Sequence, residues 1–284
     1  MRLVGIADGP RRRDVLVGVL HGDQVVPVAE RDDFWDDPAT GLAAARDAAA
    51  RDASAGARAL AATTLVPPVP PAARVLCLGL NYRDHATEGD YGVPEHPTIF
   101  GRWTASLSVG DVPVPVPGNE PGLDWEGEVA AVVGAPLADA DPAAAEAAVL
   151  GHAIVNDLSA RRAQKLTAQW TLGKNADRSA PMGPLVTVDE TGPLRDGLAL
   201  TTRVNGTVVQ QGDTRDLLFG VGEVLSLVSR TLTLAPGDVL LTGTPAGVGY
   251  ARTPPWLLGA GDVVEVEVER LGVLRTPVVG PEGR

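Results

Sequence analysis

The chain has 284 residues and a formal net charge of −12 at pH 7, because 36 acidic residues outnumber 24 lysines and arginines. This charge argues against nucleic acid or an anionic membrane as a partner, since phosphate binding depends on clustered cations. The single cysteine, Cys77, excludes an internal disulfide framework and a cysteine-based zinc cluster. No stretch approaches the roughly 20 apolar residues of a membrane span, and no signal-peptide core is present, so we expect a cytoplasmic protein.

The beginning of the chain reads as a small unit of its own. Residues 3–8 and 14–29 alternate apolar and polar side chains, which predicts short strands. The segment that follows is rich in alanine and arginine and is helical in composition, and VPPVPPAAR then forms a proline-stiffened linker. We therefore expect a small β-rich N-terminal domain over residues 1–70 and a larger domain over residues 71–284.

The larger domain mixes strands with a few helices. Apolar runs in RVLCLGL, DWEGEVAAVVG and AIVND predict buried strands. In DPAAAEAAVL, Asp141 is the expected N-cap and Pro142 the first helical residue, so the pattern predicts a helix to about Leu150. Asn205-Gly206 predicts a two-residue hairpin, and GVGEVLSLVSR predicts an amphipathic helix before a strand-rich end.

Two glutamates, Glu126 and Glu128, stand two residues apart in the strand DWEGEVAAVVG. Side chains at this spacing project from one face of a strand, and Gly127 between them leaves the opposite face open. Neighbouring carboxylates repel each other unless a cation or a shared proton compensates, which favours a metal such as Mg²⁺, Mn²⁺ or Ca²⁺. The alternative is a pair of solvated glutamates on an exposed face.

A third carboxylate, Asp157, ends the apolar strand AIVND just before a polar turn, where functional side chains are common. Its alternative role is to cap the helix SARRAQKL, a role that Ser159 could fill instead. Three carboxylates favour a hard metal over zinc. Glu126, Glu128 and Asp157 are therefore the candidate metal ligands.

Further polar residues are candidates for chemistry. His85 stands three residues before Glu88, so Glu88 could orient it as a water-activating base, unless the two form an exposed pair on a solvated helix. Lys174 is one of only two lysines in the chain, against 22 arginines, which hints that a compact ammonium is required there. The glycine-rich LLTGTPAGVG is either a backbone cradle for a carboxylate or phosphate or a plain turn, and it lacks both nucleotide-binding patterns.

Eight segments follow one another in a specific order, namely LGLNYRDHATE, PTIFGRW, LDWEGEVAAVVG, GHAIVNDLSARRAQ, LGKNADRSAPMGP, VNGTVVQ, LAPGDVLLTGTPAGVG and GDVVEVEV. This set, over roughly residues 74–280, resembles the motifs of the fumarylacetoacetate hydrolase family. The resemblance implies an α+β fold that is mainly β, built as a mixed β-sheet roll with short flanking helices. It also implies a homodimer, and the N-terminal unit resembles the small β domain of many bacterial members.

The resemblance assigns roles to single positions. The family's metal ligands fall on Glu126, Glu128 and Asp157, the same trio as above. Its other site residues correspond to His85, Glu88, Lys174 and Gln164 as catalytic residues, and to Gly243, Thr244, Arg102 and Arg161 beside the substrate. Two positions depart from the family's pattern, since Arg102 replaces a common lysine and Arg162 replaces a common aspartate.

The activity that the resemblance implies is cleavage of the C3–C4 bond of a small 2,4-dioxo acid, which yields pyruvate and a carboxylic acid. In this mechanism His85 removes a proton from water, while Lys174 and Gln164 hold the developing oxyanion. Decarboxylation, isomerisation, tautomerisation and hydration of related 2-oxo acids are alternative reactions of the same kind of site. A non-catalytic ligand-binding protein on the same scaffold is a further alternative.

Overall fold

The structure is a computed structural model that describes residues 1–9, 14–50, 56–83 and 95–281. Its strands are β1 (Arg2–Ala7), β2 (Val15–His21), β3 (Gln24–Glu30), β4 (Arg58–Ala59), β5 (Leu65–Val66), β6 (Val75–Gly79), β7 (Thr98–Arg102), β8 (Leu107–Val109), β9 (Val114–Pro115), β10 (Gly127–Val133), β11 (Val149–Asn156), β12 (Ala180–Met182), β13 (Leu185–Thr187), β14 (Ala199–Val204), β15 (Thr207–Asp213), β16 (Val239–Leu241), β17 (Val263–Val268) and β18 (Gly272–Val279). Its α-helices are Arg31–Asp36, Pro38–Ala50, Pro142–Ala147, Arg161–Gln164, Thr171–Lys174, Val188–Thr191 and Val221–Ser229. Short 3₁₀ turns lie at Leu60–Ala62, Thr104–Ser106, Leu194–Asp196 and Thr214–Asp216.

Two sheets account for these strands. The larger sheet contains 13 of the described strands, with the main order β4-β3-β2-β1-β13-β11-β10-β16-β6-β7. The smaller sheet has 5 described strands in the order β15-β14-β17-β18-β9. Most pairs are antiparallel, but β16 pairs with β6 in parallel. The mixed, mainly β architecture expected from the sequence is therefore confirmed.

Strand β10 lies between two apolar cores. Val129, Ala131 and Val133 pack in the core that includes residues of the smaller sheet. Ala130 and Val132 alternate with them and pack in a second core with residues of the N-terminal strands. Because successive side chains of a strand point to opposite faces, a run that is buried on both faces must be apolar throughout, as GEVAAVV nearly is.

The N-terminal strands continue the larger sheet. β1 pairs antiparallel with β13, so that Leu3 lies opposite Leu185. Val69, in the proline-rich segment, is buried, and the indole of Trp35 donates a 2.7 Å hydrogen bond to the carbonyl of Pro68. The segment is therefore packed against the N-terminal helices. A domain boundary near residue 70 stays a prediction.

Several local predictions can be compared with the described elements. The Asn205-Gly206 hairpin is confirmed, with φ of 50° and 78° at the two turn residues, and so is the helix Val221–Ser229. Asp141 caps its helix as expected, but the helix ends at Ala147 and not near Leu150. Residues from Val149 onward instead pair with β10, since their apolar side chains are buried in the sheet. No helix of the described residues is long and apolar enough to cross a membrane.

Candidate active site

The three acidic residues meet where β10 begins and β11 ends. Gly127 lies opposite Asn156 in the antiparallel pair, and the amide of Asp157 donates a 2.8 Å hydrogen bond to the carbonyl of Glu126. Glu126, Glu128 and Asp157 are all buried, and one carboxylate oxygen from each lies within 4.8 Å of the other two. Two strands that are adjacent in space thus bring Asp157 beside glutamates that lie 31 and 29 positions earlier in the sequence.

Gly127 separates the two glutamates for a steric reason. A Cβ atom at this position would lie 2.3 Å from Oγ1 of Thr202, on the smaller sheet. The face opposite the glutamates is therefore closely covered, and the prediction that it is open is wrong. Glycine allows the two sheets to approach each other while Glu126 and Glu128 project from the other face.

Three cations surround the carboxylates. Lys174 is buried, and its Nζ lies 2.7 Å from Oε2 of Glu126 and 2.7 Å from Oδ2 of Asp157. Nη2 of Arg161 lies 2.6 Å from Oε1 of Glu126. Arg102 forms an ion pair with Oδ1 of Asp157 from behind the site. Glu128 instead accepts a 2.8 Å hydrogen bond from the amide of Gly243.

The proton affinities follow from this arrangement. Burial raises the pKa of Glu128 well above its usual range, and the negative charges of Asp157 and Glu126 raise it further. Burial disfavours the charge of Lys174, but Asp157 and Glu126 outweigh that effect and raise the pKa of its ammonium. Lys174 is therefore protonated at neutral pH. An additional cation beside Glu128 would favour the ionised form of its carboxylate.

Asp124 also belongs to this cluster, although the motifs did not single it out. Its carboxylate is fully buried, accepts a 2.8 Å hydrogen bond from Nε of Arg161, and accepts amide hydrogen bonds from Gly249 and Tyr250 at 2.6 and 3.1 Å. Arg161 in turn donates to Oε1 of Gln164 at 2.9 Å. The signal in the sequence was available, because Asp124 stands two residues before Glu126 and continues the same alternation.

In the glycine-rich loop after β16, backbone amides donate hydrogen bonds to the protein's own carboxylates. The amide of Gly243 serves Glu128, and those of Gly249 and Tyr250 serve Asp124. The hydroxyl of Thr244 donates to the carbonyl of Gly127 at 2.9 Å and accepts a 2.8 Å hydrogen bond from Gln210. Gln210 was also missed by the sequence analysis, since no local pattern places a residue of β15 here.

A cavity of about 520 Å³ opens beside the carboxylates. Its polar lining includes Glu126, Arg161, Gln164, Lys174 and Thr244. Its remaining lining residues are Leu78, Gly79, Leu80, Phe100, Lys165, Thr167, Trp170, Val248, Tyr250 and Ala251. A volume of this size fits a small organic molecule and not a polymer.

The remaining predicted site residues are not among the described residues that line the cavity. His85 and Glu88 fall outside the described residues. The guanidinium of Arg102 is buried, and besides Asp157 it donates to Ser179 Oγ at 2.9 Å and to the carbonyl of Leu158 at 2.7 Å. It supports Asp157 from behind and does not line the cavity. Arg162 is exposed, and its contacts are with the segment Asn119–Glu120.

The donor set fits a divalent cation that prefers oxygen ligands. Within the described part of the chain, four carboxylates (Asp124, Glu126, Glu128 and Asp157) face three cations (Arg102, Arg161 and Lys174). One negative charge is therefore in excess when all are ionised. A divalent ion held by Glu126, Glu128 and Asp157 would offset that charge and leave the site attractive to an anion.

Comparison with known proteins identifies the class to which this fold and site belong. The fumarylacetoacetate (FAA) hydrolase C-terminal family matches residues 74–279, and the chain belongs to this family. It is 37% identical over 218 residues to a mitochondrial oxaloacetate tautomerase of Xenopus laevis, with 76% of this chain and 68% of that protein covered.

Two solved structures show the range of reactions among its relatives. The 2-hydroxyhepta-2,4-diene-1,7-dioate isomerase of Mycobacterium marinum is 32% identical, with a TM-score of 0.77 and 100% of each chain covered. The fumarylpyruvate hydrolase of Pseudomonas aeruginosa, solved with Mn²⁺ and pyruvate, is 30% identical, with a TM-score of 0.66 and coverage of 77% of this chain and 92% of that one. These three relatives are thus named for tautomerisation, isomerisation and hydrolysis of their substrates.

Proposed function

We propose that this chain is a divalent-metal-dependent hydrolase that cleaves the C3–C4 bond of a small 2,4-dioxo acid and releases pyruvate. The observation that carries the proposal is the buried trio Glu126, Glu128 and Asp157, with oxygens within 4.8 Å of one another and with Glu126 lining a cavity. A cation bound there would supply positive charge for the carboxylate and 2-oxo oxygens of the substrate.

The chain's own donors complete the site. Lys174 directs two of its three N–H groups to Glu126 and Asp157, which fixes the ammonium and leaves the third for a substrate oxygen. Gln164 accepts a hydrogen bond from Arg161 through its carbonyl oxygen, so its NH₂ group is the end available to the cavity. Both donors are held before the substrate arrives, which is the condition for stabilising a developing oxyanion.

Hydrolysis requires a base that removes a proton from water. The family resemblance assigns this role to His85, oriented by Glu88. The test compares pyruvate release from an acylpyruvate by the unmodified protein and by His85→Ala, each with Mg²⁺ and with excess chelator. We expect a fall in kcat of roughly 10²- to 10⁴-fold, the usual contribution of general base catalysis, with Mn²⁺ affinity unchanged. Unimpaired cleavage by the variant would remove His85 from the mechanism.

Tautomerisation of oxaloacetate is the second candidate, because that is the reaction in the name of a relative 37% identical to this chain. It moves a proton and breaks no C–C bond, so it is followed by the loss of the enol absorbance without release of pyruvate. If the unmodified protein tautomerises oxaloacetate and releases nothing from an acylpyruvate, the hydrolase proposal fails and the tautomerase remains.

The remaining parts of the proposal concern the ion and the assembly. We take Mg²⁺ as the resident ion, with Mn²⁺ or Ca²⁺ as alternatives, because all the donors are carboxylate oxygens. We also propose a cytoplasmic homodimer. Metal analysis of the purified protein and its mass in solution test these two points independently of turnover.

A further inference from the structure

The cavity has a buried end and an exposed end. Four of its polar lining residues, Glu126, Gln164, Lys174 and Thr244, are buried. Other lining residues lie at the surface, among them Lys165 and Thr167, and Tyr250 with 43% of its surface exposed. This gradient of burial orients the cavity from the carboxylate trio out to a mouth formed by the exposed residues.

The rest of the lining is mainly apolar. Phe100 and Trp170 line the cavity with their rings in an edge-to-face arrangement, 5.3 Å between centroids. Leu78 and Val248 add aliphatic surface. A ligand whose polar head occupies the buried end would therefore place a short carbon chain, or another apolar group, against these side chains.

Lys165 places a cation at the exposed end of the cavity. The ammonium of Lys165 lies 3.5 Å from the centroid of the Tyr250 ring, and no carboxylate of the described residues lies within ion-pair distance of it. Arg161 and Lys174, the other cations of the lining, are bound to Asp124, Glu126 and Asp157. The ring holds the ammonium from one side and leaves N–H donors directed away from it.

We propose that Lys165 is a specificity-determining residue, and that it binds a second carboxylate at the far end of the substrate. The preferred substrates are then 2-oxo diacids, with an apolar segment between the head and the terminal carboxylate. The inference rests on the proposed function, since it places the 2-oxo acid head at the trio. It also explains how a chain with a formal net charge of −12 would accept a dianion at its surface.

The size of the effect follows from the exposure of Lys165. An ion pair at a protein surface is screened by water, so we expect Lys165 to change the affinity for a diacid by about 3- to 10-fold, and less at high salt. The proposed contact requires a positively charged N–H donor at position 165. Arginine should therefore replace lysine in part, whereas the uncharged methionine should not.

The kinetic test uses two substrates that release the same product. Pyruvate release from 2,4-dioxoheptanedioate and from its 7-methyl ester is measured with the unmodified protein, Lys165→Met and Lys165→Arg. We expect the unmodified protein and Lys165→Arg to favour the diacid in KM, and Lys165→Met to bring the KM ratio of the two substrates close to one. Arg203→Met, which removes a partly exposed cation paired with Glu267 on the smaller sheet, should keep the preference.

A binding test separates this inference from the proposed reaction. 2-Oxoheptanedioate and 2-oxoheptanoate lack the C4 carbonyl and cannot be hydrolysed, so their dissociation constants are measured by calorimetry on the same four proteins with Mn²⁺ present. Tighter binding of the diacid that is lost in Lys165→Met supports the inference even if no acylpyruvate is cleaved. Equal binding of the two acids by the unmodified protein, or a preference that survives in Lys165→Met, overturns it.

Discussion

The larger sheet carries two neighbouring regions of opposite chemistry. One is the ionic cluster at the start of β10, with four buried carboxylates and three cations. The other is the apolar core that β10 shares with the N-terminal strands and helices, where Leu3, Val17 and Phe34 are buried. The side chains of both regions are largely buried, but burial lowers the free energy of folding mainly in the second.

The difference separates stability from activity. Each apolar side chain in the N-terminal core stabilises the fold in proportion to the surface it buries. In the ionic cluster the cost of desolvating charges offsets most of their attraction, so the cluster contributes little net stability for the number of groups it contains. Substitutions in the two regions should therefore change different measurements.

The largest effect is expected for Asp157→Asn, which removes a candidate metal ligand and the partner of both Lys174 and Arg102. We expect kcat/KM to fall by at least about 10³-fold, and Mn²⁺ affinity, measured by titration, to fall with it. The matched control is Asp238→Asn, another buried carboxylate, which accepts hydrogen bonds from the amides of Arg74 and Ala235. Turnover within tenfold of normal in Asp157→Asn would contradict the metal site.

A substitution in the apolar core should do the reverse. Leu3 is fully buried in β1, and Leu3→Ala should lower the free energy of unfolding by about 2–5 kcal/mol, measured by denaturant titration, because it leaves a cavity. The folded variant should keep its kcat. Val273→Ala, at a side chain that is 59% exposed, should change stability by less than about 0.5 kcal/mol. A large loss of kcat in Leu3→Ala would show that the two regions are coupled.

The third prediction concerns pH and a buried histidine of β11 that belongs to neither region. His152 on β11 lies opposite Val186 of β13, and burial lowers its pKa from 6.5 to about 4. Between these two pH values the unfolded chain binds a proton at His152 and the folded chain does not. The contribution of neutral His152 to the free energy of unfolding is therefore complete above pH 6.5 and is lost as the pH falls toward 4.

The loss amounts to about 3 kcal/mol at full effect, from roughly 1.4 kcal/mol per pKa unit. Denaturant titrations at several pH values should show that the free energy of unfolding falls less with acid in His152→Gln than in the unmodified protein. The difference between the two proteins removes the contribution of the carboxylates, which both share. Identical pH profiles for the two proteins would contradict the assignment of this effect to His152.

The smallest effect should come from Ser159. Its hydroxyl lies 3.2 Å from Oε1 of Glu126 and 3.1 Å from the carbonyl of Asp157, so Ser159→Ala removes one long, shared hydrogen bond and no charge. We expect kcat/KM to fall by about 2- to 10-fold, the equivalent of about 0.5–1.5 kcal/mol. Ser108→Ala, whose hydroxyl donates to the carbonyl of Arg178, is the control and should have no effect.

The sequence revealed what local patterns and ordered motifs encode. Alternation placed Glu126 and Glu128 on one face, and the end of a buried strand singled out Asp157. The hairpin at Asn205-Gly206 followed from turn chemistry alone.

Contacts between distant segments were not accessible in the same way. The position of Arg102 behind Asp157 depends on the pairing of β7 with β6, and the role of Gln210 depends on how the smaller sheet packs under Gly127. The helix after Pro142 was predicted too long because pairing with β10 overrides the helical preference of the residues that follow. Such competition is decided by tertiary contacts, which a single sequence does not display.

The pairing of β1 with β13 has a consequence for any shortened form of the chain. The family match begins at residue 74, but β13 is flanked by β11 on one side and by β1 on the other. A fragment that starts at residue 74 would leave one edge of β13 with unpaired backbone groups beside the apolar surface of Leu185. Such an edge can pair with strands of other molecules. The fragment should therefore self-associate, although it retains Glu126, Glu128 and Asp157.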